Sequence, residues 1–466
     1  MSEPRHGLTR EMFATLAAGG GEAAAITELI AAEYSETMLL LAGVVTHARP
    51  GAQSDSARAG HDLLAAAWRA DHAAAERVIR HPSVGVWARR TIQACRGGPS
   101  LPGADPAGLG AIAAAAAILA RLPAEIEVRV TSGRVMLPAL GAATVSGDRV
   151  QVRTGNGRAS VGAVEVPEDP YQNAPGWRGL HRVRSRTLDV IVDDLDPFRL
   201  LDLADLATDV DARSWDSSLR SAWDVLESQH PALAMEAATA VSVIVPRSSP
   251  GSGVVSTTSP HAFGAIGMSL PPDPITGAET FAHEIQHLKL GALQKIVALT
   301  EPDEGTRYYA PWRDDPRPLN GLLQGTYAYL GVTGFWRRQR LLPSGRRHAD
   351  AEYARWRTAT TRSTETLRSS GHLTPAGLDF VTAMAGTLAA WGTETVPPHA
   401  QAEARHTAES HRARWQSVNG RPPAPWPRSD RRRVKVEVQP SAAHGDDRVR
   451  VGQSDGVLVP RHRVGE

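Results

Sequence analysis

Residues 279–293, ETFAHEIQHLKLGAL, constrain the fold more tightly than any other stretch of the chain. Phe281, Ile285, Leu288, Ala292 and Ile296 recur at helical spacing and require one buried face. His283 and His287 stand four residues apart, so they share one face a turn from each other. Glu284 lies about 100° round the helix and flanks whatever the imidazoles hold. A segment with both demands must sit where core meets cleft. Two imidazoles at this spacing with a carboxylate beside the first form the pattern His-Glu-x-x-His, a frequent metal site. A pair of helix histidines bonded to carbonyls or water is the plain alternative.

The sequence has 466 residues, long enough for two to four units. Lys plus Arg number 51 against 50 Asp plus Glu, so no global charge points to nucleic acid or a membrane surface. The single cysteine, Cys95, excludes an internal disulfide framework and a multi-thiolate metal site. It reads as a small packed residue. The N-terminus has no apolar signal core, and the longest apolar run, 109–126, is mostly Ala and reads as a buried helix. A reducing, cytoplasmic setting is expected, with no nucleic-acid and no membrane partner.

Four regions are expected. Residues 1–125 are helical. Residues 126–200 are β-rich, with a β-meander from Ile126 to Val166 and one more strand within 181–199. Residues 201–396 hold a helix at 214–239, strands at 241–246, 253–259 and 264–270, the His-Glu-x-x-His helix from about Ala278, and three further helices. The last of these starts with a Thr cap followed by Pro. Residues 397–466 form a partly flexible extension whose Arg run at 431–433 reads as solvated. The predicted class is α+β: mostly helical, with a small antiparallel sheet next to a zincin-like metal helix.

A third ligand must come from elsewhere in the chain. Asp314, Asp315 and Gln324 follow the helix, with Asn320 and Tyr327 as further helix-facing candidates. Tyr308, Tyr309, Trp312, Arg313 and Arg317 crowd the same stretch. A guanidinium fork grips carboxylates bidentately, so Arg313 and Arg317 are candidates for holding an acidic co-substrate or a peptide carboxylate. Pairing with Asp314 or Asp315 in a structural loop is the competing reading. The strand at 264–270 is either a candidate edge to which a peptide could add or an ordinary sheet strand. Asp193, Asp194 and Asp196 could bind a divalent cation or make a strand-ending turn that caps the next helix. His261 could face the metal cleft, or be a loop histidine with no such role.

The segments AHEIQHLKLGAL, YYAPWRDDPRPLNGLLQGTYAYLGVTGFW and DVIVDDLDPFR together resemble the His-Glu-x-x-His proteins of ribosomal peptide gene clusters. The likeness runs from about Trp177 to Trp415. It implies a 2-oxoglutarate-dependent, non-haem Fe(II) peptide β-hydroxylase acting on a precursor peptide, with a radical-SAM maturase as a possible partner. Carried over, His283 and His287 become iron ligands. Glu284, Tyr309, Arg313 and Arg317 become candidate catalytic residues, the two arginines also binding the co-substrate. The family often has His where this chain has Gln324, a weaker, neutral donor. The alternatives are a zinc metallopeptidase, in which Glu284 is the indispensable base, and a non-catalytic peptide-binding relative.

Overall fold

The computed structural model describes residues 7–200, 205–249, 254–343 and 345–420. The Arg run at 431–433 and the rest of the expected extension beyond Gly420 lie outside the described residues.

Five helices open the chain: α1 (Arg10–Ala17), α2 (Ala23–His47), α3 (Ala52–Ala70), α4 (His72–Ile79) and α5 (Pro82–Cys95). The Ala-rich α6 (Leu109–Leu119) follows, its Ala113–Ala117 run fully packed. Small side chains let α3 come close: a Cβ on Gly60 would meet backbone of Leu109 and Gly110 at 2.8 Å. Among the described helices, α2 is long and apolar enough to cross a membrane. Here its Glu33 and Glu36 carboxylates both grip Lys295, each at 2.7 Å, and its Ile26 and Leu29 are fully buried.

The expected meander is more complex. Strands β1 (Ala124–Arg129), β4 (Arg149–Gly155), β5 (Arg158–Val161) and β6 (Val164–Val166) form one antiparallel sheet. The intervening hairpin of β2 (Arg134–Leu137) and β3 (Gly141–Thr144) leaves it to pair with β7 (Trp177–Gly179). The single strand expected at 181–199 is a hairpin, β8 (His181–Arg184) and β9 (Asp189–Val192), closed by an Arg182–Asp189 ion pair.

That hairpin crosses the expected regional boundary at 200. It joins β10 (Val243–Pro246), β11 (Ser256–Thr257) and β12 (Ala265–Met268) in a five-stranded sheet of order β11-β12-β10-β9-β8. The sheet is mixed: β10 runs parallel to β9 and β12, while β8 and β11 pair antiparallel. Side chains alternate across it with the period of two that a strand imposes. Ile191, Val243, Val245 and Ala265 enter the core shared with the N-terminal helices. Val190, Val192, Ile244, Ile266 and Met268 enter the core shared with the metal helix. A sheet covered on both faces explains why these strands read as continuous apolar runs.

The stretch expected as one helix at 214–239 is two, α7 (Ala212–Gln229) and α8 (Pro231–Ala240). Pro231 has no N–H to continue the ladder, so the helix restarts there. The His-Glu-x-x-His helix is α9 (Pro274–Ile296), four residues longer at its start than expected. Asp273 caps it through the Thr276 N–H at 2.9 Å, and Pro274 fits the first turn. Helices α10 (Leu319–Gln339), α11 (Arg346–Ser369) and α12 (Pro375–Gly392) follow, the last with its Thr374 cap in place. Regular structure does not end at Val396: α13 (Pro398–Asn419) packs on α11 and buries Trp415. The class is α+β, mostly helical.

Two features fix α9. Lys289, fully buried, donates to the carbonyls of Gly19 and Gly20 and to Glu236 at 2.7 Å, tying the helix to the end of α1 and to α8. Gly331 lets α10 cross tightly, since a Cβ there would lie 2.6 Å from the Ala282 carbonyl. This crossing brings Gln324 and Tyr329 beside the two histidines.

Candidate metal centre

His283 and His287 meet through their Nε2 atoms at 3.2 Å, rings nearly perpendicular. Two nitrogens bound to one ion at ~2.0–2.1 Å sit roughly 3.0–3.4 Å apart for bond angles of about 90–110°. The donor pair therefore fits a shared cation. The His283 side chain keeps 22% of its surface open, so the site is reachable. Burial, with His287 adding to it, pushes the His283 pKa well below its usual value and favours the neutral ring that binds a metal.

Gln324 does not join the converging nitrogens. Its Oε1 lies 3.0 Å from the other nitrogen of His287, Nδ1. Its Nε2 donates to Gln294 Oε1 at 2.7 Å, and Gln294 Nε2 donates to Asn320 Oδ1 at 2.5 Å. In these amide orientations His287 donates from Nδ1–H to Gln324 Oε1, which leaves the lone pair on Nε2. Gln324 thus sits where the outer partner of a metal-bound histidine sits. The expectation that it is the third ligand is corrected. Asn320 closes the same chain, and Tyr327 spends its hydroxyl on the Leu16 carbonyl.

The two aspartates are likewise not ligands. Asp315 accepts from Arg313 at 2.6 Å and from Arg317 at 3.2 Å. Asp314 is exposed, and its Oδ1 lies 3.6 Å from His411. Among the described residues no His, Cys, Asp or Glu completes a trio of donors with the two histidines. The arginine fork expected to take a co-substrate carboxylate already holds one, that of Asp315. Tyr309 turns to α13, with its hydroxyl 2.8 Å from His411 Nδ1 and its ring edge-on to Trp415.

Glu284 is the best-placed acid. It is buried, and Oε1 lies 4.0 Å from His283 Nε2 while Oε2 has no partner. Burial raises its pKa, offset in part by His287 and by hydrogen bonds from Ser256 and Thr258. Ser256 belongs to β11, and of the two readings of 264–270 the ordinary sheet strand holds: β12 is covered on both sides, and β11 is the edge strand beside α9.

Three residues the sequence reading missed complete the surroundings. Tyr329 is edge-on to His283, ring centres 5.0 Å apart, and is stacked between Trp312 and Trp356 at 4.8 and 4.1 Å. Glu279 sits one turn before His283, accepts from Trp336 Nε1 at 2.8 Å, and is pushed by burial to a pKa of about 7. Arg355 lies over Trp356 at 4.3 Å, and its charge acts on Tyr329, Glu279 and His411. Glu279 was open to discovery, being four residues before His283 on the same face.

His261 lies on a loop away from the His283–His287 pair, as the plainer reading has it. It lines a cavity of about 460 Å³ between α2, α5 and α8, together with Arg89 and Glu36. Asp193, Asp194 and Asp196 make the expected turn but cap no helix: Asp193 accepts the N–H groups of Leu195 and Asp196, and Asp194 accepts from Arg178 and the Val210 N–H. Cys95 is half-buried with a pKa raised by burial. No family model matches the chain, and no curated protein matches it.

Proposed function

We propose that the chain is an Fe(II)- and 2-oxoglutarate-dependent oxygenase that hydroxylates a side-chain carbon of a ribosomally made precursor peptide. The observation that carries this reading is the convergence of two, and only two, ligand nitrogens among the described residues. A site with two protein donors leaves room for a bidentate co-substrate, for dioxygen and for a further small ligand. Iron(II) held there would supply the redox chemistry of hydroxylation. The balance is fixed: dioxygen places one atom in the new hydroxyl and one in succinate, while 2-oxoglutarate loses carbon dioxide.

The chain's own residues have distinct tasks. Gln324 holds the His287 ring with Nε2 facing the ion. Tyr329, clamped by Trp312 and Trp356, walls one side of the cleft. Arg355 is the cation linked to that wall through Trp356, and it is the better candidate for the distal carboxylate because its own acid, Glu352, lies 3.5 Å away, a looser pairing than the 2.6 and 3.2 Å by which Asp315 holds Arg313 and Arg317. The edge strand β11 offers backbone groups to an extended peptide beside the cleft. The zincin-like placement of a metal helix next to an edge strand supports a peptide substrate. A radical-SAM maturase remains a candidate partner.

A zinc peptidase is the second reading, and one observation favours it. Glu284 has a buried carboxyl, a raised pKa and a free oxygen near the ligand nitrogens, as a base acting on bound water requires. Such hydrolases use three protein ligands, which this site lacks among the described residues. Incubation of the full chain with Fe(II), 2-oxoglutarate and a peptide encoded beside its gene decides between them. The oxygenase yields succinate and a peptide heavier by one oxygen; peptide cleavage without 2-oxoglutarate overturns it.

A further inference from the structure

A second group of ligand side chains lies away from α9. His81, the residue that precedes α5, meets Asp193 and Asp196 from the turn after β9, and one donor atom of each lies within 4.8 Å of the others. All three are buried, with side-chain exposures of 2% for His81 and 0% for Asp193.

Every hydrogen bond in the group can be assigned. Asp193 Oδ1 accepts the N–H groups of Leu195 and Asp196, each at 2.9 Å. Asp196 Oδ1 accepts the Phe198 N–H at 2.8 Å, and Asp196 also bonds the Ser83 hydroxyl. His81 Nδ1 lies 2.8 Å from Ser83 Oγ. If Ser83 donates to the carboxylate, it must accept from His81 Nδ1–H, which puts the ring's lone pair on Nε2. The nearby Arg199 spends Nη1 and Nη2 on the carbonyls of Asp196 and Ala207.

Two of the trio's donor atoms remain without partners, His81 Nε2 and Asp193 Oδ2, as does Nε of the nearby Arg199. The first two face each other at 3.8 Å. That is too long for a hydrogen bond, and two lone pairs in a dry interior repel. It is within the roughly 4.2 Å that two metal–ligand bonds of ~2.1 Å can span. Buried carboxylates cost several kcal/mol each unless compensated, and the one guanidinium here, Arg199, acts on Asp196 and leaves the second carboxylate for another cation.

We infer that His81, Asp193 and Asp196 bind a divalent transition-metal ion, of the Zn²⁺ or Mn²⁺ kind, separate from the His283–His287 pair. One imidazole with two carboxylates suits such ions, whereas Ca²⁺ and Mg²⁺ prefer oxygen alone. The ion clamps the start of α5 to the turn after β9 and so fastens the N-terminal helices to the sheet that backs α9. His81 lines the 460 Å³ cavity, which gives the ion a route inward.

The test uses the full chain carrying His283→Ala and His287→Ala, stripped with chelator, then loaded with Zn²⁺ or Mn²⁺ alone. Bound metal is counted by elemental mass spectrometry, and the melting temperature is followed. We expect one ion per chain and a rise in melting temperature on loading. Adding Asp193→Asn, which keeps the Oδ1 acceptor, abolishes both. The unsubstituted chain binds two ions, a count independent of how the variants fold. The inference is overturned if the double-alanine chain binds none while the unsubstituted chain binds at most one, or if Asp193→Asn leaves binding in the double-alanine chain undiminished; one ion in both chains would instead count against the His283–His287 pair.

Discussion

His287 Nδ1 lies 3.0 Å from Gln324 Oε1, on the side of the ring away from the nitrogen that meets His283. The contact separates two roles that sequence spacing alone merges, ligand and orienting partner. Gln324→Ala is predicted to weaken metal binding on the order of 10–100-fold, the usual effect of losing an outer partner. Gln324→Glu keeps the acceptor and binds at least as tightly. Calorimetric titration with Co²⁺ checks both, and its visible spectrum reports the ligand set. A changed coordination number in Gln324→Ala would mean that the amide is a ligand after all.

Glu284→Gln preserves shape while removing the base. On the oxygenase account, metal affinity stays within a few-fold and 2-oxoglutarate is still consumed. On the peptidase account all turnover vanishes. Succinate formation by the variant, measured beside peptide cleavage, distinguishes the two.

Arg355→Ala is predicted to raise the KM for 2-oxoglutarate at least tenfold, since a lost charge-assisted carboxylate contact is worth about 1.5–3 kcal/mol. Arg313→Ala frees one side of Asp315 and changes this KM little. The reverse ranking would restore the arginine pair to the co-substrate role.

His230 sets a pH dependence of stability. Burial, with Arg338 adding to it, pushes its pKa from 6.5 down to about 4. The unfolded chain therefore takes up a proton below about pH 6.5 while the folded chain stays neutral. Stability held above pH 6.5 is lost as pH falls towards 4, by about 3 kcal/mol at most. His230→Gln should flatten this segment of a urea-unfolding series between pH 7 and 4.5. An unchanged slope in the variant would exclude His230 as its source.

The metal helix was legible because strict four-residue spacing and an apolar period coincide in one segment. The break at Pro231 carried a signal, its missing N–H, but the sequence reading runs 214–239 as one helix and passes over it. What Gln324 does was not, because the nitrogen it faces depends on how closely α10 crosses α9 at Gly331, a tertiary fact. The loop arginines illustrate the same limit: sequence places Arg313 and Arg317 near Asp315 but cannot say whether the acid or a ligand fills the fork. β12 was read correctly as a strand but not as an inner one, since β11 beside it is only two residues long. His81 offered no signal, because its partners are distant in sequence and meet it only once the N-terminal helices pack on the sheet.

The central claim is that His283 and His287 jointly hold a redox-active ion with open positions. Its most direct test is anaerobic addition of Fe²⁺ and then 2-oxoglutarate to the purified chain, followed by visible absorption. The account predicts a metal-to-co-substrate charge-transfer band at one equivalent of iron, absent in His283→Ala/His287→Ala. No band in the unsubstituted chain, with tightly held zinc that iron does not displace, would contradict it.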